Sequence, residues 1–193
     1  MNALALRPVV RRTPPSTRSH ALKCPRFPAL LFALLLLGSA APALAAEEMP
    51  VPAKFQAVLF KRIFAYERVL KTQPEVRVLL ASDSAAANEL QREFEALGVG
   101  AHVLAPDEGR VNLDAGTVLF LFPDTPPALR EQALKRKVLC ISGYPALVLE
   151  GKASIGVDKK ADGKPQILVH LRRLKAEGHE LSSDVLRLAR VVP

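Results

Sequence analysis

The sequence predicts an α/β domain with a central, mostly parallel β-sheet and helices on both faces. Short apolar runs typical of buried strands alternate with amphipathic stretches at helical spacing. The apolar runs are continuous rather than alternating, which indicates strands covered on both faces. An Asp162-Gly163 turn between two further strand-like runs predicts a C-terminal β-hairpin that adds an antiparallel edge to the sheet.

The first 45 residues predict a secretory signal peptide. They contain six Lys and Arg residues and no acid, an apolar run over 27–37, and an A-x-A site that ends at Ala45. We expect cleavage after Ala45, export to the periplasm, and one mature domain over 46–193. Two alternatives remain open, a later translation start and an uncleaved anchor over 27–46, because roughly 20 apolar residues can span a bilayer.

The charge of the mature chain argues against nucleic-acid binding, and its cysteine content argues against an internal disulfide. Removal of residues 1–45 leaves 21 Lys and Arg against 19 Asp and Glu, a net charge of +2, which does not favour nucleic-acid binding. Cys140 is then the only cysteine, so no internal disulfide can form. Its apolar surroundings predict a buried strand position rather than a redox site.

The first half of the mature chain predicts helix, strand, helix and strand. The second helix has Asp83 or Ser84 as its N-cap, and Gly98 is placed to end it in a left-handed conformation. The predicted elements are a helix over 52–70, a strand over 76–81, a helix over 85–97 and a strand over 99–104.

The second half continues the alternation after a polar loop over 105–114. Pro126 and Pro127 mark the start of a helix, and the final apolar stretch predicts a helix that closes the domain. The predicted elements are strands over 117–122 and 138–141, helices over 126–134 and 144–149, hairpin strands over 152–157 and 166–170, and helices over 171–176 and 183–191.

Polar residues follow several of the predicted strands. Parallel strands end at one edge of a sheet, and ligands of such sheets dock beyond that edge. This strand-end rim is the default ligand pocket, although turn and cap chemistry explains the same residue types. The rim comprises Asp83, Ser84, Asp107, Asp124, Ser142 and Tyr144.

No motif in the sequence predicts catalysis, a metal or a cofactor. H-E-x-x-H, C-x-x-C, G-x-G-x-x-G and the Walker loop are all missing. Ser142 follows a strand but lacks the glycine that precedes the serine of G-x-S-x-G. We expect His170 to be packed in or beside a strand and His179 to be a solvated loop residue. The chain is therefore predicted not to be an enzyme.

The last 43 residues carry the most specific pattern. They combine a glycine-led hairpin strand over 151–156, an apolar strand that enters a short helix over 167–174, and a serine-capped apolar helix in which either serine can accept backbone N–H bonds. The positions of this closing pattern are Gly151, Gly178, Leu181, Ser182, Ser183, Leu186, Leu188 and Ala189.

This ending resembles the signature of the YfiR family of periplasmic regulators. The resemblance implies a periplasmic α/β protein, often a homodimer, that binds the periplasmic region of an inner-membrane signalling protein. The implied partner is a diguanylate cyclase or a sensor kinase, and the implied outputs are cyclic-di-GMP signalling and biofilm formation. In such a mechanism the regulator shifts the partner's conformational populations and makes no covalent bond.

A different class of function remains as an alternative. The strand-end rim could hold a solute, which would make the chain a periplasmic small-molecule binding component of a transport or sensing system. A bound solute would favour this alternative, whereas binding to an inner-membrane sensor would favour the regulator.

Overall fold

The structure, a computed structural model, describes residues 49–105 and 111–193. The predicted signal peptide, its cleavage site after Ala45 and the alternative anchor over 27–46 all lie outside these residues. Within the two described ranges, no helix combines the length and the apolar composition that a membrane span requires.

The described residues form an α/β fold, which confirms the predicted class. Strands and helices alternate through most of the chain, and one turn of 3₁₀ helix follows the first helix at Leu70–Thr72. The elements are α1 (Ala53–Tyr66), β1 (Arg77–Leu80), α2 (Ala85–Ala96), β2 (Gly100–Val103), β3 (Thr117–Leu121), α3 (Pro127–Lys135), β4 (Leu139–Ser142), α4 (Pro145–Leu149), β5 (Ile155–Lys159), β6 (Pro165–His170), α5 (Leu171–Ala176), α6 (Ser183–Leu188) and β7 (Arg190–Val192).

One seven-stranded sheet has the order β2-β1-β3-β4-β5-β6-β7. All neighbouring strands are parallel except the β5-β6 hairpin. The chain runs outward from β1 to β2 and then returns to β3 on the other side of β1. Because parallel crossovers are right-handed, α2 lies on one face while α3 and α4 lie on the other. All five residues of β3 are buried, as expected for a strand covered on both faces.

An aromatic series joins α1 to the centre of the sheet. The Phe60 ring of α1 meets the Phe120 ring of β3 edge-on, with centroids 5.8 Å apart. Phe122 lies 5.0 Å from Phe120, and Tyr144 lies 6.0 Å from Phe122. Such tilted and edge-to-face pairs add stabilisation to the area they bury, so this series anchors α1 over β3 and the end of β4.

Local chemistry explains where the helices end. Ser84 caps α2, since its Oγ accepts the Ala87 N–H at 3.3 Å. The predicted left-handed Gly98 has φ +72°, and Gly151 and Gly178 end α4 and α5 in the same conformation. Gly151 therefore ends a helix, whereas the sequence pattern had placed it at the start of a hairpin strand, which begins at Ile155.

Two predicted helix ends and the predicted edge of the sheet are wrong. Helix α1 ends at Tyr66, not Leu70, because the next residue is extended and pairs with the closing segment. Helix α6 ends at Leu188, and the segment that was predicted to continue it forms β7 beside β6. The hairpin is consequently not the sheet edge. The β-branched pair in β7 favours a strand, and β6 offers backbone groups that would otherwise lack partners.

Candidate functional site

A cleft of about 300 Å³ opens where the strand order reverses, beyond the carboxyl ends of β1, β2 and β3. In open α/β sheets this is the usual place for a ligand, because the connections leave the sheet in opposite directions there. The cleft is lined by Ala81, Ser82, Asp83, Leu104, Ala105, Val111, Asp124, Pro126, Ala128, Leu129 and Gln132.

Two hydrogen bonds fasten the end of β1 to the loop after β3. The Ser82 hydroxyl donates to Asp124 Oδ2 at 3.0 Å, and the Thr125 hydroxyl donates to the Ala81 carbonyl at 3.2 Å. Thr125 Oγ1 also accepts the Phe122 N–H at 2.8 Å, which closes the turn that carries Asp124. The position of the Asp124 carboxylate is thus set by both strands.

The cleft has an apolar wall and an acidic rim. Leu104 is buried, while Val111 and Leu129 are partly buried against the same core. Asp83 and Asp124 are the charged groups among the lining residues, and both are exposed. The Asp83 carboxylate makes no hydrogen bond or ion pair with any residue of the described ranges. The arrangement can hold an apolar group beside a pair of carboxylates.

The predicted rim divides into two groups. Asp83 and Asp124 line the cleft, and Ser84 stands next to it as the cap of α2. Asp107 lies outside the described residues. Ser142 and Tyr144 are buried at the end of β4 and do not line the cleft, which corrects their assignment to the pocket.

Ser142 and Tyr144 are excluded from the cleft by the packing of β4. The Ser142 hydroxyl donates to the Leu121 carbonyl at 2.9 Å and accepts the Tyr144 N–H at 3.0 Å. These bonds hold the turn between β4 and α4 closed. Ser142 therefore supports a turn.

Sequence reasoning missed most of the cleft's apolar wall. Leu129 and Gln132 are three positions apart on α3 and so share one face of that helix. Leu104 and Val111 flank the connection from β2 to β3. The one available signal was the polar stretch predicted as a loop over 105–114, of which the structure describes residues 105 and 111–114.

A second polar cluster lies at the opposite end of the sheet. The buried Glu177 carboxylate accepts the Cys140 N–H at 3.1 Å, the Arg173 Nε–H at 2.7 Å and the Ser154 hydroxyl. Burial, reinforced by Glu177, raises the pKa of the Cys140 thiol well above its ordinary value, although Arg173 opposes the effect. This thiol therefore stays protonated at neutral pH. Cys140 is buried within β4, as predicted.

The guanidinium in this cluster stays charged. Burial favours the neutral form of Arg173, but the hydrogen bond and charge of Glu177 outweigh burial and raise its pKa. The predicted packed position of His170 is confirmed as well, since the residue is 8% exposed and its Nδ1 accepts the Arg173 N–H at 3.2 Å. Both residues thus serve the start and the docking of α5.

A third cluster joins the end of α1 to the closing segment. The buried Glu67 carboxylate accepts N–H bonds from Val69, Leu70 and Glu180 at 2.9, 2.6 and 3.0 Å. His179 Nδ1 lies 3.1 Å from Glu67 Oε1, as an ion-pair contact that is poorly aligned for a hydrogen bond. Burial opposes ionisation of Glu67, but the His179 contact and the three N–H donors outweigh it and lower the pKa to about 2.

His179 is not a solvated loop residue, contrary to the prediction. Its side chain is 4% exposed, and Nε2 lies 3.1 Å from the Lys137 carbonyl oxygen. The left-handed Gly178 turns the chain back toward α1 and carries His179 inward. A single polar residue after a glycine gives no sequence signal of that burial.

The closing pattern is mostly structural. Leu181 is buried and forms an isolated bridge with Glu67. Leu186 and Ala189 are partly buried and pack against the core. Ser182 stands at the N-cap position of α6, but its hydroxyl makes no capping bond, and Ser183 is exposed inside the first turn. The prediction that one of these serine side chains accepts a backbone N–H bond at the start of α6 is therefore wrong.

Leu188 differs from the other apolar residues of the pattern. Its side chain is 76% exposed, the highest value among the large apolar residues that are exposed in the described ranges. Val191 of β7 is 46% exposed a few residues later. These two side chains define what we call the β7 patch.

No known family model matches this chain, and no curated protein sequence matches it significantly. Among solved structures, the fold is similar to that of an ABC domain in complex with L-Trp from Streptococcus pneumonia. The TM-score is 0.50 at 15% sequence identity, and the match covers 74% of this chain and 60% of the other. This chain thus spans less than two thirds of that domain's length. At such low identity the likeness shows the α/β fold alone.

Proposed function

We propose that the chain is a periplasmic regulatory protein of the YfiR type, which binds the periplasmic region of an inner-membrane diguanylate cyclase or sensor kinase and modulates its output. The support is the closing pattern from Gly178 to Ala189, whose residues join the end of α1 to the sheet edge. In this proposal the protein acts as a homodimer or a monomer through contacts alone. The regulator binds one conformation of the partner, active or inactive, more tightly than the other, and the population of that conformation therefore rises.

The observation that carries the proposal is the exposure of Leu188. The fold of this chain uses the other apolar members of the pattern for packing, but it leaves this large side chain 76% exposed. Among the strands of the described residues, the neighbouring β7 is the outermost, so one side of its backbone faces away from the sheet. Apolar side chains beside an open strand edge are typical of surfaces that bind another protein.

A charge in the β7 patch tests this proposal. We expect Leu188→Glu to abolish co-purification of a membrane diguanylate cyclase or sensor kinase from detergent-solubilised membranes of cells that express the full-length chain. Cellular cyclic-di-GMP should change in the same direction as on deletion of the gene. Loss of an exposed apolar contact leaves the fold intact, so circular dichroism of the variant should match that of the parent protein.

Leu149→Glu is the matched control, because Leu149 is also exposed, at 50%, but ends α4 on another part of the surface. It should retain both the partner and the cyclic-di-GMP level. Equal behaviour of the two variants would contradict the role of the β7 patch. Recovery of the chain with residues 1–45 intact from the cytosol would contradict the regulator as a whole.

The cleft favours a second candidate function, a periplasmic small-molecule binding component of a transport or sensing system. Its support is the apolar, partly enclosed space of about 300 Å³ at the reversal of strand order. The structurally similar ABC domain is in complex with L-Trp, which agrees with solute binding by this kind of fold. Native mass spectrometry of the purified protein should reveal a bound solute, and a repeatedly empty protein would count against this candidate.

A further inference from the structure

We infer that the cleft binds a small organic cation, an ammonium group attached to an apolar or aromatic body. This inference rests on the second proposed function, small-molecule binding, and adds to it the chemical class of the ligand. It depends on three features of the cleft: the apolar wall, the sign of the charges at the rim, and the way in which one of those charges is fixed.

The apolar wall sets the requirement for the body of the ligand. Leu104 is 5% exposed and Ala81 is 5% exposed, so both present a firm surface that belongs to the core. Leu129 of α3 and Val111, which are partly buried against the core, also line the cleft. A flat or branched hydrocarbon group that enters this space replaces water at apolar surface, which is favourable roughly in proportion to the area covered.

The rim sets the charge of the ligand. Asp83 and Asp124 are acidic, and the lining residues in the described part of the chain include no Lys, Arg or His. An anion that entered the cleft would meet these two carboxylates, and none of the described lining residues carries a positive charge that offsets them. An ammonium group can donate up to three hydrogen bonds to carboxylate and amide oxygens, and such charge-assisted bonds are stronger than neutral ones.

The Asp124 carboxylate is held in place before any ligand arrives. Ser82, which is 6% exposed, donates its hydroxyl proton to Oδ2, and the same Ser82 oxygen accepts the Ser84 N–H at 3.3 Å. This chain of bonds uses one carboxylate oxygen and leaves the other without a partner in the described ranges. A fixed acceptor beside an apolar wall lowers the ordering cost of binding.

The experiment uses three probes with one ring system and different charge: 2-(1-naphthyl)ethylamine, 2-(1-naphthyl)ethanol and 3-(1-naphthyl)propionate. The protein contains no Trp, so naphthyl fluorescence is observed without interference from an indole. Protein purified after expression of the full-length chain is titrated with each probe at pH 7. We expect the amine to bind about tenfold more tightly than the alcohol, and the propionate to bind weakest.

Two variants separate the charge from the space. The double variant Asp83→Asn and Asp124→Asn should lose about tenfold in affinity for the amine and leave the alcohol unchanged, because Asn preserves size and an acceptor oxygen. Ala128→Phe on the exposed start of α3 should weaken all three probes by filling the cleft. Asp158→Asn in the hairpin is the control and should alter none of the affinities.

The outcomes distinguish the inference from the function on which it rests. Equal binding of amine and alcohol, or tightest binding of the propionate, would overturn the cationic ligand and leave small-molecule binding in place. Absence of binding of every probe at millimolar concentration would overturn both. Amine binding that Ala128→Phe leaves unchanged would place the probe elsewhere on the surface and overturn the assignment to this cleft.

Discussion

Lys137 adopts a left-handed backbone conformation that a residue with a Cβ atom rarely adopts. Helix α3 ends with Lys137 at φ 56°, in the left-handed region that glycine occupies at the ends of α2, α4 and α5. The Val138 N–H donates to the Ala133 carbonyl at 2.9 Å across it, as in those three helix ends. A residue with a Cβ is strained there by roughly 1–2 kcal/mol.

We therefore expect Lys137→Gly to raise the free energy of unfolding by about 1 kcal/mol, because glycine removes the strain but gains entropy in the unfolded chain. Urea denaturation followed by circular dichroism measures the change. Gly98→Ala is the converse control, since no atom lies within 4 Å of the added methyl group and only the positive φ opposes it. That variant should be destabilised by about 1 kcal/mol. A Lys137→Gly protein less stable than its parent would contradict the argument.

Glu67 acts at the scale of elements, because its carboxylate joins α1 to the segment before α6. Its pKa is about 2 in the folded protein and near 4.5 without the fold. The folded state favours the charged form, so this contribution is complete above pH 4.5 and is lost as the pH falls toward 2. The difference corresponds to stabilisation on the order of 3 kcal/mol.

Substitution of Glu67 by Gln should accordingly lower stability at pH 6 by an amount on the order of 3 kcal/mol, and by much less at pH 3. Urea unfolding of both proteins at the two pH values provides the measurement. Glu89→Gln, on the exposed side of α2, should cost little at either pH. A Glu67→Gln penalty that is constant between pH 3 and pH 6 would show that the charge of Glu67 is irrelevant.

The edge of the sheet shows where element prediction fails. The closing apolar stretch has helical spacing up to Ala189, and the sequence alone gave no reason to stop the helix there. The segment after Leu188 becomes a strand because β6 has an open side, which is a fact of topology that no local pattern contains. In contrast, α5 was predicted with its observed bounds.

At the scale of the whole molecule, the class of fold followed from the alternation of buried strands and helices, but the strand order did not. The strand order reverses at β1, and this reversal, and hence the cleft, depends on which strands pair with each other in the folded sheet. Asp83 and Asp124 could be predicted at the site, because they follow strands. The wall formed by Leu104, Val111 and Leu129 could not, since those residues meet only after the sheet is assembled.

The single thiol of the described residues offers a probe of global unfolding. Cys140 is fully buried in β4, and burial raises its pKa well above the ordinary value. We expect Cys140 not to react with a thiol reagent at pH 8 on a timescale of hours, and to react at the unfolding rate once urea is added. The rate should rise with urea in parallel with the loss of circular dichroism. Prompt reaction of Cys140 in the absence of urea would indicate that β4 opens locally.

The contact between Glu177 and the backbone of β4 has a consequence for isotope labelling. The amide proton of Cys140 is held by the side chain of the residue that follows α5, whereas its neighbours in the ladder are held by adjacent strands. Deuterium uptake at that one amide thus registers detachment of α5 while the rest of the sheet stays protected. Deuterium uptake at the Cys140 amide can therefore distinguish movement of the carboxyl-terminal third of the chain from local opening of the sheet itself.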